Sequence, residues 1–281
     1  MNKIRIVTDS ASEIPQHNPH GIRVLPMTIR FGDTEYRDGV DITQKEFYEK
    51  LIESDEMPVT SLVSPAQFSE AFQAAADAGE TVIAITISSA LSGTWQCAAL
   101  AAESFPGKVF VVDSRNVTIG EEILVLRAVE LVREGLGAQE IAAVLEQEKE
   151  KIHLLAVLDT LEYLKKGGRV SGTVAFVGGM LAIKPVVAVQ DGTVAMIGKA
   201  RGSRNGNNYL IKEIEKTAGV DFSKPIRLGY TGLTDAYLQK YIADSRQIWE
   251  GHEDALAISM VGSTVGTHVG PNAIAVAYFA K

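Results

Sequence analysis

The sequence predicts an α/β protein of two domains: an amino-terminal parallel sheet with helices on both faces, and a carboxyl-terminal, mainly antiparallel sheet with helices. Three observations carry this expectation. Through the first 150 residues, short β-branched runs alternate with stretches of helical period, the pattern of a parallel sheet built from strand and helix units. After Lys151 strand-like runs dominate, and the Asp191-Gly192 pair between Val189 and Thr193 marks a two-residue hairpin with antiparallel strands. The chain has 281 residues, 46% hydrophobic and 22% charged, which suffices for more than one core. The boundary is placed so that 1–150 forms an α/β domain and 151–281 an α+β domain.

Ile4 to Val7 is an apolar run closed by Thr8, Asp9, Ser10, Ala11 and Ser12, a strand that ends in hydroxyls and a carboxylate. Ile22 to Leu25 and Met27 to Phe31 read as further short strands. Thr43 to Ser54 opens on a capping residue and places Phe47, Leu51 and Ile52 at helical spacing. Pro58-Val59-Thr60-Ser61 leads through Ser64-Pro65 into a helix over Ala66 to Ala78, with proline where a first turn tolerates it. An apolar run from Thr81 stops at the Ser88 corner and passes into another helix. Val109 to Val112 is β-like and stops at Asp113-Ser114, and helices follow over Ile119 to Glu134 and Ala138 to Lys149. Beyond them, strands are expected at Ile152 to Leu158, Pro185 to Val189, Thr193 to Ile197, Ile226 to Tyr230, Ala255 to Val261 and Ala273 to Phe279. Helices over Asn207 to Ala218 and Thr234 to Trp249 separate some of these. In such a sheet ligands collect beyond the carboxyl ends of the strands, where the loops after Val7, Ile87 and Val112 are rich in hydroxyls.

Composition excludes several classes. With 27 basic and 35 acidic residues the formal net charge is −8, which argues against a nucleic-acid backbone as partner. The single cysteine, Cys97, forms no internal disulfide and reads as a small apolar residue of its helix. MNKIRIVTDS has the pattern of a short strand where a signal peptide needs a longer apolar run, so a cytoplasmic location is expected. The longest apolar stretch, Val174 to Val189, is interrupted by Gly178, Gly179, Lys184 and Pro185 and is no spanning helix.

The segment TVIAITISSALSGTWQCAAL, from Thr81 to Leu100, carries the strongest functional signal. A buried strand turns through a serine- and glycine-containing corner into a helix, which gathers hydroxyls, backbone N–H groups and a positive helix end. It lacks both the Gly-Lys-Ser/Thr ending of a P-loop and the spacing of a dinucleotide fingerprint. A carboxylate or a lone phosphate is the expected anion, and the competing reading is that Ser92 or Thr94 simply caps the helix. Ser92, His268 and either Asp9 or Asp113 also supply the residue types of a hydrolase triad, although the G-x-S-x-G elbow is missing.

Seven motifs in order, TDSASEIP, TSLVSPAQF, ISSALSGTWQCA, VVDSRNV, DTLEYLKKGGRVSG, IKPVVAVQDGTVAMIGKARG and GTHVGPNAIAVAY, span nearly the whole chain. Together they resemble the DegV family of fatty-acid-binding proteins. The resemblance implies a long-chain fatty acid held between the two domains, with no other cofactor. It further implies the acyl-carrying subunit of a bacterial fatty acid kinase, with a separate catalytic subunit using ATP to make an acyl phosphate for phospholipid synthesis. Contact with a membrane surface would be transient at most. By the same resemblance the carboxylate site falls on Thr60, Ser61, Ser92, Gly93, Thr94 and His268, and Arg169 and Arg201 face the kinase. A carrier or sensor without a kinase partner would share the pocket and leave the two arginines without a task.

Hydroxyls and N–H groups suit such a site because they bind a carboxylate without neutralising its nucleophilic oxygen. A hydrogen bond to a charged group is worth roughly 1.5–3 kcal/mol, whereas burying about fourteen methylenes at about 0.8 kcal/mol each gives about 11 kcal/mol before ordering costs. The tail then sets affinity and the hydroxyls set orientation. Phe176 to Ile183 and Ala273 to Phe279 are the expected channel walls. Departures from the family pattern fall at Leu62, Val63, Trp95 and Asn272, where they bear on ligand geometry more than on fold. Lys165 and Lys166 read as solvated charge.

Overall fold

The computed structural model describes residues 3–54, 56–170 and 183–281. In chain order its first half comprises β1 (Ile4–Asp9), β2 (Arg23–Leu25), β3 (Thr28–Phe31), β4 (Thr34–Arg37), α1 (Gln44–Glu53), β5 (Val59–Ser61), α2 (Pro65–Asp77), β6 (Thr81–Thr86), α3 (Thr94–Ala102), β7 (Val109–Asp113), α4 (Ile119–Arg133) and α5 (Ala138–Glu148). The second half continues with β8 (Ile152–Val157), α6 (Glu162–Lys166), β9 (Ile183–Gln190), β10 (Thr193–Arg201), α7 (Gly202–Lys216), β11 (Arg227–Tyr230), α8 (Ala236–Asp244), α9 (Arg246–Trp249), β12 (Ala257–Met260), α10 (Ser263–Val269) and β13 (Ile274–Phe279).

Four strands form a parallel sheet in the order β2-β1-β6-β7. Every residue of β6 is buried, as expected of an inner strand covered on both faces. The chain runs outward from β1 to β2 on one side and returns to β6 on the other, so a topological switch point lies between β1 and β6. The second sheet has the order β10-β9-β8-β13-β11-β12 and is antiparallel except for the β11–β12 pair. One hydrophobic core cluster reaches both sheets, because α4 packs on β1 and β6 on one side and on β8, β11 and β13 on the other. A second cluster fills the opposite face of the six-stranded sheet beneath α7 and α8.

Local chemistry accounts for the element ends. Thr43 and Glu46 close a capping box at α1, and Ser64 and Gln67 close one at α2, whose first residue is Pro65. Asp191 at φ 49° and Gly192 at φ 77° form the expected two-residue turn between β9 and β10.

Two expectations need correction. Residues 28–61 hold a small antiparallel sheet, β4-β3-β5, whose strands of three or four residues are too short for a visible period. Ser64 caps α2, while Thr60 and Ser61 belong to β5. The helix expected over Thr234 to Trp249 breaks at Ser245, whose Oγ donates to Tyr241 O at 2.6 Å and accepts from Trp249 Nε1 at 2.9 Å. His268 lies in α10. Of the expected channel wall Phe176 to Ile183, all but Ile183 lies outside the described residues.

Candidate functional site

The loops after β1 and β6 meet at the switch point, and Asp9 joins them. Its carboxylate accepts from Ala11 N at 3.0 Å and from Ile87 N at 2.9 Å, and burial pushes it up to about 7. Asp9 thereby shapes both loops, and among the described residues no hydrogen bond joins it to His268. After Ile87 the chain turns through Ser88, whose carbonyl accepts the N–H groups of Leu91 and Ser92 at 3.0 and 3.1 Å. This turn presents the Ser92 hydroxyl and Gly93 at the head of α3. Ser92 Oγ pairs with Thr94 Oγ1 at 2.9 Å and accepts from Thr94 N at 3.3 Å, so it also serves the helix end.

Thr60, Ser61, Ser92, Gly93, Arg169 and His268 line one cavity of about 320 Å³. Thr94 does not: it is fully buried behind Ser92 and orients that hydroxyl. His268 Nε2 lies 3.0 Å from Thr60 Oγ1, while the buried Nδ1 has no hydrogen-bond partner among the described residues. Burial, and secondarily the positive charge of Arg169, pulls the imidazole down to about 4. The ring rests on Gly167, where a Cβ would come 2.2 Å from Nδ1. Arg169 is held over the site through Nη1 to Gly167 O at 2.6 Å and Nε to Leu91 O at 3.3 Å. It therefore belongs to the polar end of the cavity, a placement that the GGRVSG motif alone did not reveal. Arg201 is exposed at the end of β10 and does not line the cavity.

Away from these groups the cavity becomes apolar. Val117, Leu164, Val194, Val265 and Val269 line it and also line a second, narrow cavity of about 60 Å³. That second space runs along the six-stranded sheet past Ala156, Val187, Ala188, Ala273, Ile274 and Ala275. Of the expected wall Ala273 to Phe279, only the first three residues face it, and the rest pack into the core. Leu62 stands at the cavity rim, 42% exposed, and would touch a Cβ on Gly93 at 3.0 Å, whereas Val63 is buried core. Asn272 takes φ 64°, a left-handed conformation that asparagine tolerates, and its side chain is exposed. Cys97 is half-buried in α3, and burial pushes its thiol up.

A hydrolase triad is not assembled. Asp113 is engaged by Ser89 and by the Arg115 N–H, Asp9 by backbone, and no carboxylate hydrogen-bonds His268 among the described residues. The arrangement instead offers hydroxyls, an uncharged imidazole and the Arg169 guanidinium at one end of a space whose remainder is hydrocarbon-lined, which fits an anion carrying a long apolar tail. No helix among the described residues is long and apolar enough to cross a membrane.

A family model described as the DegV family of uncharacterised proteins matches residues 3–281. A DegV domain-containing protein of Caldanaerobacter subterraneus is 36% identical over the full length of both chains. Among solved structures, a DegV family protein from Thermus thermophilus, described by its fatty acid binding, superposes with a TM-score of 0.86 at 32% identity, covering 99% of this chain and 100% of the other. A fatty acid binding DegV family protein from Streptococcus agalactiae gives 0.87 at 27% identity with full coverage of both chains.

Proposed function

The chain belongs to the DegV family, and from that premise we propose that it binds a long-chain fatty acid and presents the carboxylate to a separate ATP-dependent kinase subunit. The acyl phosphate so formed would enter phospholipid synthesis. The observation that carries the reading is the continuity of one polar end, built from Thr60, Ser61, Ser92, Gly93, Arg169 and His268, with an apolar space bounded by small and β-branched side chains. The fatty acid binding of the Thermus and Streptococcus relatives supports it.

The division of labour follows from the chemistry. Hydroxyls of Thr60, Ser61 and Ser92 and the Gly93 N–H hold the carboxylate at a fixed angle while leaving a lone pair on its outer oxygen. That oxygen attacks the γ-phosphorus of ATP on the partner, forming the acyl–phosphate bond as the bond to ADP breaks. Arg169, exposed at the cavity and bonded to the backbone carbonyls of Gly167 and Leu91, is available to the charge that develops there. Arg201 is exposed on a neighbouring strand end and suits docking.

The test combines lipid retention with phosphoryl transfer. Arg201→Ala retains bound fatty acid and forms acyl phosphate at least about tenfold more slowly when kinase subunit and ATP are supplied, the loss expected for one charge-assisted contact. Unchanged transfer in this variant would remove Arg201 from docking, whereas wild-type protein that holds fatty acid and forms no acyl phosphate would favour a carrier or sensor without a kinase.

A further inference from the structure

By sequence α10 lies among the carboxyl-terminal strands, yet its first turn is held by the amino-terminal half of the chain. Its N-cap is Gly262, which has no side chain to cap with. The Gly262 N–H donates to Glu13 Oε2 at 2.6 Å, and the N–H groups of Ser263 and Thr264 donate to Asp38 Oδ1 and Oδ2 at 3.2 and 3.1 Å. The Thr264 hydroxyl adds a bond of 2.6 Å to Asp38, which is 3% exposed, and Glu13 Oε1 accepts from Thr118 Oγ1 at 2.7 Å. Two carboxyl groups thus accept from donors that a helix start leaves unpaired, and burial pushes that of Glu13 well above the usual carboxylate range.

Glycines make the close approach possible. A Cβ on Gly262 would lie 3.0 Å from Glu13 Oε2, and one on Gly266 would lie 2.6 Å from Tyr48 Oη and 2.7 Å from Phe47 Cε1 on α1. Tyr48 Oη also donates to Val261 O at 3.1 Å, just ahead of the helix. The cap fixes where α10 starts, the glycine contact fixes how it lies on α1, and His268 follows from both.

We infer that Glu13 and Asp38 are positioning residues for His268: by capping α10 from the other half of the chain, they set the ring against Thr60 and against the polar end of the cavity. The consequence for ligand rests on the fatty-acid reading above. Hydrogen bonds weaken steeply with small displacements, whereas the apolar contacts of Val265 and Val269 on the same helix are non-directional. A slackened cap therefore costs carboxylate recognition before it costs tail binding.

The full-length protein, stripped of lipid, would be compared with D38N and E13Q by titration with oleate and with oleyl alcohol, which shares the tail and lacks the carboxylate. Ring resonances of His268 would be followed in parallel. The expected result is oleate binding weakened about tenfold, oleyl alcohol changed less than about twofold, and displaced His268 signals in the lipid-free variants. Equal weakening of both lipids, or His268 signals that stay in place, would overturn the assignment. Thermal unfolding identifies a variant that does not fold, and the other then carries the same expectation. Wild-type protein that binds neither lipid would end the fatty-acid reading, while the His268 signals still decide the positioning role.

Discussion

His268 stands uncharged beside the cationic Arg169 at the polar end of the cavity. Burial and Arg169 hold it down to about 4, so the ring is uncharged at neutral pH in the lipid-free site. The unfolded chain takes up a proton near pH 6.5 and the folded chain only near pH 4, so this residue costs stability progressively as pH falls through that window. The thermal midpoint of wild type should therefore fall relative to His268→Gln between pH 7 and pH 4, as scanning calorimetry of both proteins would show. A bound carboxylate reverses the local field and favours the charged ring, so lipid binding should raise the His268 midpoint, and Arg169→Ala should raise it in the lipid-free protein. Nuclear magnetic resonance titration of the ring reads both. Thr94 illustrates the same scale differently: it entered the candidate set through the LSGT motif, and its part is to hold the Ser92 hydroxyl from behind.

Among the elements, the Ser88 corner is fixed from two directions. Asp9 holds Ile87 from the parallel sheet, while the β9–β10 hairpin reaches across from the other sheet and Gly192 O accepts the Ser88 hydroxyl at 2.7 Å. Gly192 is required twice there, for its φ of 77° and because a Cβ would sit 2.6 Å from Ser88 Oγ. Gly192→Ala should cost roughly 1–2 kcal/mol from backbone conformation alone, seen as a lowered thermal midpoint, and should weaken carboxylate binding through Ser92. Much of this was legible in sequence, since the strand stops at Val7, Ile87 and Val112 and the Asp-Gly turn each rest on local chemistry. What was not legible depends on distant partners. The glycine spacing of GSTVGTHVG gives no helix start signal, because the capping groups of α10 stand at Glu13 and Asp38, more than two hundred positions away in sequence. The three-stranded sheet was hidden because β5 is three residues long and takes its strand form from pairing with β3.

At the scale of the molecule, the cavity takes its polar end from β5, the loop after β6, the segment after α6 and α10, and its apolar end largely from the six-stranded sheet. On the fatty-acid reading proposed above, this divides orientation from affinity, by the arithmetic of about 0.8 kcal/mol per buried methylene against roughly 1.5–3 kcal/mol per charged hydrogen bond. Small side chains keep the apolar end open, so Ala275→Leu should shift the bound lipid toward shorter acyl chains while leaving the carboxylate site intact, which lipid analysis of the purified variant would show. The motifs made the family legible, but the length of the apolar space follows from side chains of α6, α10, the six-stranded sheet and the segment just ahead of α4 meeting in space, which no single segment encodes. The most direct measurement is native mass spectrometry of the purified protein followed by denaturing extraction and identification of the lipid. One long-chain fatty acid per chain is the expected result. Protein that carries no lipid and takes up neither added oleate nor palmitate would contradict fatty-acid binding.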